Sequence, residues 1–299
     1  MSTIQPTATA VSLVLGSGGA RGLAHIGVIR WLEEHGYRIS SISGCSIGAL
    51  IGGIYTAGKL DEFEHWIRAI QALDVLTLLD VSLVKGGFIK GDKIIDTLKT
   101  LVGDFTIEDL DIPFTAVATD IDNEREVWIN RGSLFEAIRA SISLPLFFTP
   151  VERNGVKLID GGILNPVPIA PTFNDDTDLT IAVNLGASRD CYVELEKPEA
   201  AADNNSFFEN GINNFIKSLM SSAPKQKAQW GMYDVADQSF DTMQSAIARQ
   251  KLAAYPPDKV IQIARNQCGI LEFDRAEEMI QLGYQRTAET LASMDHSGN

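Results

Sequence analysis

Long apolar runs are missing from this 299-residue chain. No stretch approaches the ~20 residues that a membrane-spanning helix needs. The apolar run Val11-Ser12-Leu13-Val14-Leu15 is too short for a signal-peptide core and runs straight into glycines. Cysteine is nearly absent: Cys45, Cys191 and Cys268 are odd in number and widely spaced. That excludes a disulfide framework and a cysteine metal site, and it fits a reducing cytoplasm. Positive charge is also short, with 25 Lys and Arg against 39 Asp and Glu and a net charge of −14. Bulk charge of this sign disfavours nucleic acid and anionic membranes. It does not oppose a transient contact of one apolar face with a lipid surface or micelle. Histidine is scarce too, at His25, His35, His65 and His296, and that scarcity bears on the chemistry below.

What remains is an ordinary globular composition, 45% hydrophobic and 21% charged, in a chain long enough to bury a core without staples. Residues 1–10 are small and polar and read as a flexible leader. Two strand–loop–helix units follow. Val11 to Leu15 is a buried strand, followed by the loop Gly16-Ser17-Gly18-Gly19-Ala20-Arg21-Gly22 and a helix over Leu23 to His35 that Gly36 stops. Ile39 to Ser43 is a strand, Ser46 a turn, and Ile47 to Ala57 a helix stopped at Gly58. Parallel pairing of these strands would bring both glycine loops to one sheet edge.

Farther along, Leu60 to Asp80 reads as a helix with Phe63, Trp66, Ile67, Ile70 and Leu73 on one face, a core stripe. Gly86 to Gly91 reads as a loop, with Asp92 capping a helix to Leu101. Strands are expected over Phe114 to Asp120, Glu126 to Asn130, Val156 to Ile159, Leu179 to Asn184 and Val260 to Ala264. Ser133 with Glu136 forms a capping box for a helix to Ala140. Residues 194–206 read as a mobile surface loop, and 207–221, 234–252 and 275–293 as helices. The region 194–260, with its Trp230–Tyr233 cluster, is the natural lid or cap. The alternation predicts an α/β fold with helices on both sides of a mixed, mostly parallel sheet.

The chemistry-bearing stretch is Gly44-Cys45-Ser46-Ile47-Gly48, the Gly-x-Ser-x-Gly elbow that holds a serine at a tight strand–helix turn. A serine hydroxyl needs a base to become a nucleophile, and the resulting oxyanion needs preorganised donors. The Gly16–Gly22 loop suits the second task, because residues without Cβ let backbone N–H groups face an anion at a helix N-terminus. A nucleotide loop fits less well: counting from Gly16, the third fingerprint glycine is replaced by Arg21, and no Gly-Lys-Ser/Thr follows. For the base, only His65 and His296 follow Ser46, one in a surface helix and one near the C-terminus. His25 reads as a helix residue satisfied by hydrogen bonds. The best remaining base is Asp160, which ends a strand before Gly161 and Gly162, although Asp-Gly-Gly alone is also a common β-turn. Cys45 reads as a packed residue. The run from Leu144 to Phe148 is either a pocket wall or core beneath Pro145.

Four ordered motifs together, Gly18-Gly19-Ala20-Arg21-Gly22, Gly44 to Gly48, Ala140-Ser141-Ile142-Ser143-Leu144-Pro145 and Asp160-Gly161-Gly162, resemble the patatin-like phospholipases. The match covers roughly residues 11–172, with 173–299 expected to complete the same domain. Ser17 and Leu146 depart from the pattern, each standing where glycine is common in relatives, and Leu146 is expected to narrow the pocket. The resemblance implies a three-layer α/β/α sandwich and a Ser46–Asp160 dyad without histidine. It also implies an oxyanion hole from the Gly18 and Gly19 amides with Arg21 as an electrostatic contributor. The activity implied is acyl hydrolysis of lipid esters, of the phospholipase A, lysophospholipase or carboxylesterase type, with no metal or other cofactor. The other reading on the same fold is a lipid-binding or regulatory protein with little turnover.

Overall fold

The computed structural model describes residues 8–70, 91–145, 147–194 and 232–292. Five parallel strands form the middle of one sheet. β1 (Thr9–Leu15) lies between β2 (Tyr37–Cys45) and β7 (Leu179–Ala187), β2 also pairs with β3 (Phe114–Asp120), and β7 with β8 (Lys259–Ala264). Antiparallel strands extend it: β4 (Arg125–Ile129) and β6 (Val156–Asp160) pair with β3, and β5 (Val151–Arg153) pairs with β6. Strands β7 and β8 belong to the C-terminal part of the chain, so the sheet draws on both.

The buried strands sort their side chains by alternation. On β1, Leu13 and Leu15 enter the main core, and Val14 points to the opposite face. The main core is covered by α1 (Ala24–Glu34), α2 (Ile47–Thr56), α5 (Leu134–Ser141) and α7 (Ala276–Ala292). The opposite face carries a smaller cluster of Val14, Ala182, Val167, Ile169 and Ala248, the last from α6 (Met232–Ala254). This is the expected three-layer arrangement. Helices α1 and α7 meet backbone to backbone: a Cβ on Gly27 would strike Ile280 O, and one on Gly283 would strike Ala24 O.

Register on β3 sets the geometry of the site. β4 occupies one edge of β3 from Ala116 to Asp120. The other edge is shared. β2 arrives along it in parallel and ends with Cys45 opposite Val117, while β6 arrives antiparallel and ends with Asp160 opposite Ala118. Two strands that run toward each other along one edge therefore stop at adjacent residues of β3. The residue after β2 is Ser46, and the last residue of β6 is Asp160.

Several expectations change in detail. The first helix begins with a 3₁₀ turn at Gly19–Leu23, and β2 is longer than its Ile39–Ser43 core. Helix α3 (Leu60–Ala69) ends at Ile70, whose ψ of 131° is extended; Leu73 lies outside the described residues. Helix α4 (Asp92–Val102) is not capped by Asp92: Gly91 takes the N-cap with φ 72°, and Asp92 is the first helical residue. The β5–β6 hairpin, closed by Asn154 and Gly155 at positive φ, was not anticipated. Ser133 does accept a hydrogen bond from the Glu136 amide, at 3.4 Å. The 86–90 segment, Leu146, the proposed 207–221 helix, Trp230 and nearly all of the 194–206 loop lie outside the described residues.

Candidate active site

Ser46 sits between β2 and α2 with φ 55° and ψ −124°. For a residue with a Cβ, this sparsely populated conformation costs about 1–3 kcal/mol. Its neighbours explain how it is held. The Ser46 N–H donates to Ser141 Oγ at 2.9 Å, and Ser141 Oγ in turn donates to Val117 O at 2.6 Å. The Ser46 carbonyl accepts from the Ala49 and Leu50 amides at 2.9 and 3.1 Å. The flanking glycines are steric requirements, since a Cβ on Gly44 would lie 2.5 Å from Gly48 O, and one on Gly48 would strike Leu15 O.

The Ser46 hydroxyl donates to Asp160 Oδ2 at 2.5 Å, across 114 residues of sequence. The other carboxylate oxygen accepts from the Gly162 amide at 2.7 Å, and Cys45 Sγ lies 4.0 Å from it. The Asp160 N–H donates to Ser143 O at 2.9 Å. Asp160 is fully buried, and burial pushes its pKa up to about 6, against the lowering effect of the Ser46 hydroxyl and the Gly162 amide. Burial, with Asp160 and Glu126 nearby, also pushes the Cys45 thiol well up, so it stays protonated and packs as a small apolar residue.

The serines at 141 and 143 carry roles that no local pattern announces. Ser141 ties the elbow to β3, and the Ser143 carbonyl ties the end of β6. Arg139 holds the same segment from α5, donating to Ser143 Oγ at 2.6 Å. Gly162 is enclosed by the tips of Gln244 and Ser17, which are themselves hydrogen-bonded at 3.3 Å, so α6 buttresses both glycine motifs.

The Gly16–Gly22 loop passes beside Ser46. Gly16 N–H donates to Val183 O, Ser17 N–H to Pro166 O and Ala20 N–H to Ile270 O. Between them, the Gly18 and Gly19 amides have no acceptor among the described residues. Gly22 lets α2 approach, since a Cβ there would strike the Ile47 side chain. His25 is wholly buried, and its Nε2 lies 2.9 Å from Gly16 O. Burial lowers its pKa to about 4, so at neutral pH the ring is uncharged and Nε2 carries the proton that the carbonyl accepts. The histidine steadies the loop.

Arg21 does not take the expected place. Its guanidinium turns to the 265–268 segment, donating to Arg265 O at 2.9 Å and Cys268 O at 3.2 Å, with Asp241 at 3.1 Å completing the set. Three acceptors, two on the turn after β8 and one on α6, outcompete a position facing Ser46, so the residue braces the loop instead of lining the site.

An apolar cavity opens from Ser46 and Gly19. Leu50 from α2, Phe63, Trp66, Ile67 and Ile70 from α3, and Ile94 and Leu98 from α4 form one side. Leu144, Phe147 and Phe148 line it as well, which takes the wall over the core alternative for those three, and Ile270, Leu271 and Phe273 close the far side. The α3 stripe is both core and cavity wall. Among the described residues, no group of three or more His, Cys, Asp and Glu is placed to hold a metal ion. No helix of those residues is long and apolar enough to cross a membrane.

Known proteins give this geometry its context. A mycobacterial relative from Mycobacterium tuberculosis, an uncharacterized NTE family protein, is 37% identical over 331 aligned positions, covering 95% of this chain and 92% of that one. The lysophospholipase nte1 of Emericella nidulans is 31% identical over 97% of this chain, which matches only 18% of that much longer protein. The crystal structure of VipD from Legionella pneumophila aligns over 96% of this chain and 67% of that one, with 15% identity and a TM-score of 0.48. The family described as patatin-like phospholipase matches residues 13–173. With that match across the β1–β6 region, and a relative alike along almost its whole length, the chain belongs to the patatin-like phospholipase family of carboxylic ester hydrolases.

Proposed function

We propose that the protein hydrolyses the acyl esters of phospholipids or lysophospholipids through a Ser46–Asp160 dyad. The observation that carries this reading is the 2.5 Å contact between the Ser46 hydroxyl and the buried Asp160 carboxylate at the mouth of an apolar cavity. Asp160 takes the Ser46 proton as Oγ attacks the ester carbonyl. The Gly18 and Gly19 amides receive the oxyanion, and each such donor contributes about 2.7–4 kcal/mol in comparable sites. The tetrahedral intermediate collapses, the alcohol leaves with the proton from Asp160, and the acyl group stays on Ser46. Asp160 then takes a proton from water, which attacks the acyl-serine, and returns it to Ser46 Oγ as the fatty acid leaves. The cavity accommodates the acyl chain. The lysophospholipase name of the fungal relatives favours the same substrate class.

The test is hydrolysis of p-nitrophenyl butyrate and decanoate alongside labelling by a fluorophosphonate. The parent should turn over both esters and be labelled, and Ser46→Ala should do neither. Equal labelling of Ser46→Ala removes the nucleophile assignment. A folded parent inert on every chain length favours a binding protein on this fold.

A further inference from the structure

A second cavity lies behind the glycine loop, and Ile270 is a wall of both. Gly19 faces the Ser46 cavity, while Arg21, two residues on, faces this one. Its space of ≈ 330 Å³ far exceeds the ~10–15 Å³ that holds one water. Its lining is cationic in a chain of net charge −14.

The arginines there differ in how they are balanced. Arg21 pairs with Asp241, and Arg275 with Glu272 and Glu278. Among the described residues, Arg189 bonds only the neutral Gln238 side chain, at 3.1 Å. The Arg265 guanidinium has neither a hydrogen-bond acceptor nor a carboxylate partner among the described residues, and its Nε is buried. Arg21 is 3% exposed, and its Nε is also buried without an acceptor. Buried guanidinium N–H groups without acceptors are expensive, and planar guanidinium matches phosphate oxygens in forked pairs.

We propose that this cavity binds a phosphate-class anion, namely the headgroup phosphate of the lipid whose ester carbonyl meets Ser46. This rests on the acyl-ester reading of the Ser46 site. Ile270 and the Gly19–Arg21 turn that is bonded to it stand between the cavities, so a lipid whose ester lies on the Gly19 side and whose glycerol backbone passes the edge of this partition places its phosphate on the Arg21 side. Arg189 and Arg265 supply the uncompensated charge, and Arg21 fixes the floor.

The test compares lysophosphatidate with the monoacylglycerol of the same acyl chain, which lacks only the phosphate. Arg265→Gln should lower kcat/KM for lysophosphatidate about ten- to hundredfold, and leave monoacylglycerol within about twofold of the parent. Equal losses on both substrates, or no loss on either, overturn the proposal. Should Arg265→Gln lose its circular dichroism signature, the same comparison with Arg189→Gln, an exposed residue, decides. Calorimetry on Ser46→Ala separates the sources of the phosphate. Lysophosphatidate binding that Arg265→Gln weakens supports the headgroup. Tight inorganic phosphate binding that lysophosphatidate does not displace overturns it in favour of a free-phosphate site. A parent that hydrolyses neither ester refutes the acyl-ester reading, and the Ser46→Ala binding arm still judges the phosphate site.

Discussion

A base whose pKa has been raised by burial should control the rate near neutrality. With Asp160 at about 6, about 91% of it is ionised at pH 7 and about 9% at pH 5. Only the ionised form can take the Ser46 proton, so kcat/KM should fall about tenfold between those values. An aspartate at its ordinary pKa near 3.9 would lose less than about a tenth of its ionised form over the same interval. The assay is initial-rate hydrolysis of a p-nitrophenyl ester well below KM, from pH 4.5 to 8.5, read at an isosbestic wavelength. Near-ultraviolet circular dichroism across the series keeps unfolding apart from titration. The expected profile rises with a single inflection close to 6 and then levels. A flat profile between pH 5 and 7 in folded protein would refute either Asp160 as base or burial as the force acting on it.

The same shift has a stability consequence. A carboxyl whose pKa is higher when folded contributes stability that is fully present below its unfolded pKa and lost as pH rises through about 6. At pH 8, Asp160 therefore costs about 3 kcal/mol, and Asp160→Asn should raise the melting temperature while abolishing turnover; an unchanged or lower melting temperature contradicts the burial account. His25 has the opposite sign: with its pKa lowered to about 4, folding loses about 2 kcal/mol between pH 7 and pH 5 as the unfolded state takes up the proton. His25→Leu should flatten that acid slope in urea titrations and, by freeing Gly16, lower kcat several-fold with KM little changed. Ser141→Ala leaves the half-buried Ser46 amide without its acceptor, at a cost of about 1 kcal/mol, and should reduce both the unfolding midpoint and kcat.

Local steric rules were readable in the sequence, and long-range register was not. Gly44 announces the elbow because the close approach that requires it, to Gly48, lies within five residues, whereas Gly48 is required by Leu15 on the neighbouring strand. The parallel pairing of β1 and β2 followed from two adjacent strand–helix units. Asp160 could be singled out by its glycines and the scarcity of histidine, but its contact with Ser46 depends on where β2 and β6 stop along β3, which no local pattern encodes. Ser141 and Ser143 were visible as a motif without a task, because their partners lie 95 residues before one and 17 after the other. Arg21 shows the reverse error. Its place in the glycine loop suggested the active site, yet a long side chain goes where acceptors are, and those lie more than 200 residues away. Asp92 lost the cap to Gly91 because the chain enters α4 through a left-handed residue.

His25, bonded to the glycine loop, and Asp160, bonded to the elbow serine, have exchanged the usual roles of their residue types, and one cause accounts for both. Free histidine has a pKa near 6.5 and free aspartate near 3.9, so a neutral-pH hydrolase ordinarily uses the former. Burial disfavours whichever form is charged. Applied to His25 it removes a base, taking the ring to about 4, and applied to Asp160 it creates one, at about 6. Packing alone therefore makes the histidine a hydrogen-bond strut for the loop and gives the aspartate, the proton acceptor we propose, nearly the basicity of histidine. In the proposed dyad, a second histidine would add little. The function of orienting a triad base is already met by the Gly162 and Ser143 bonds that fix Asp160 from both ends of its own residue.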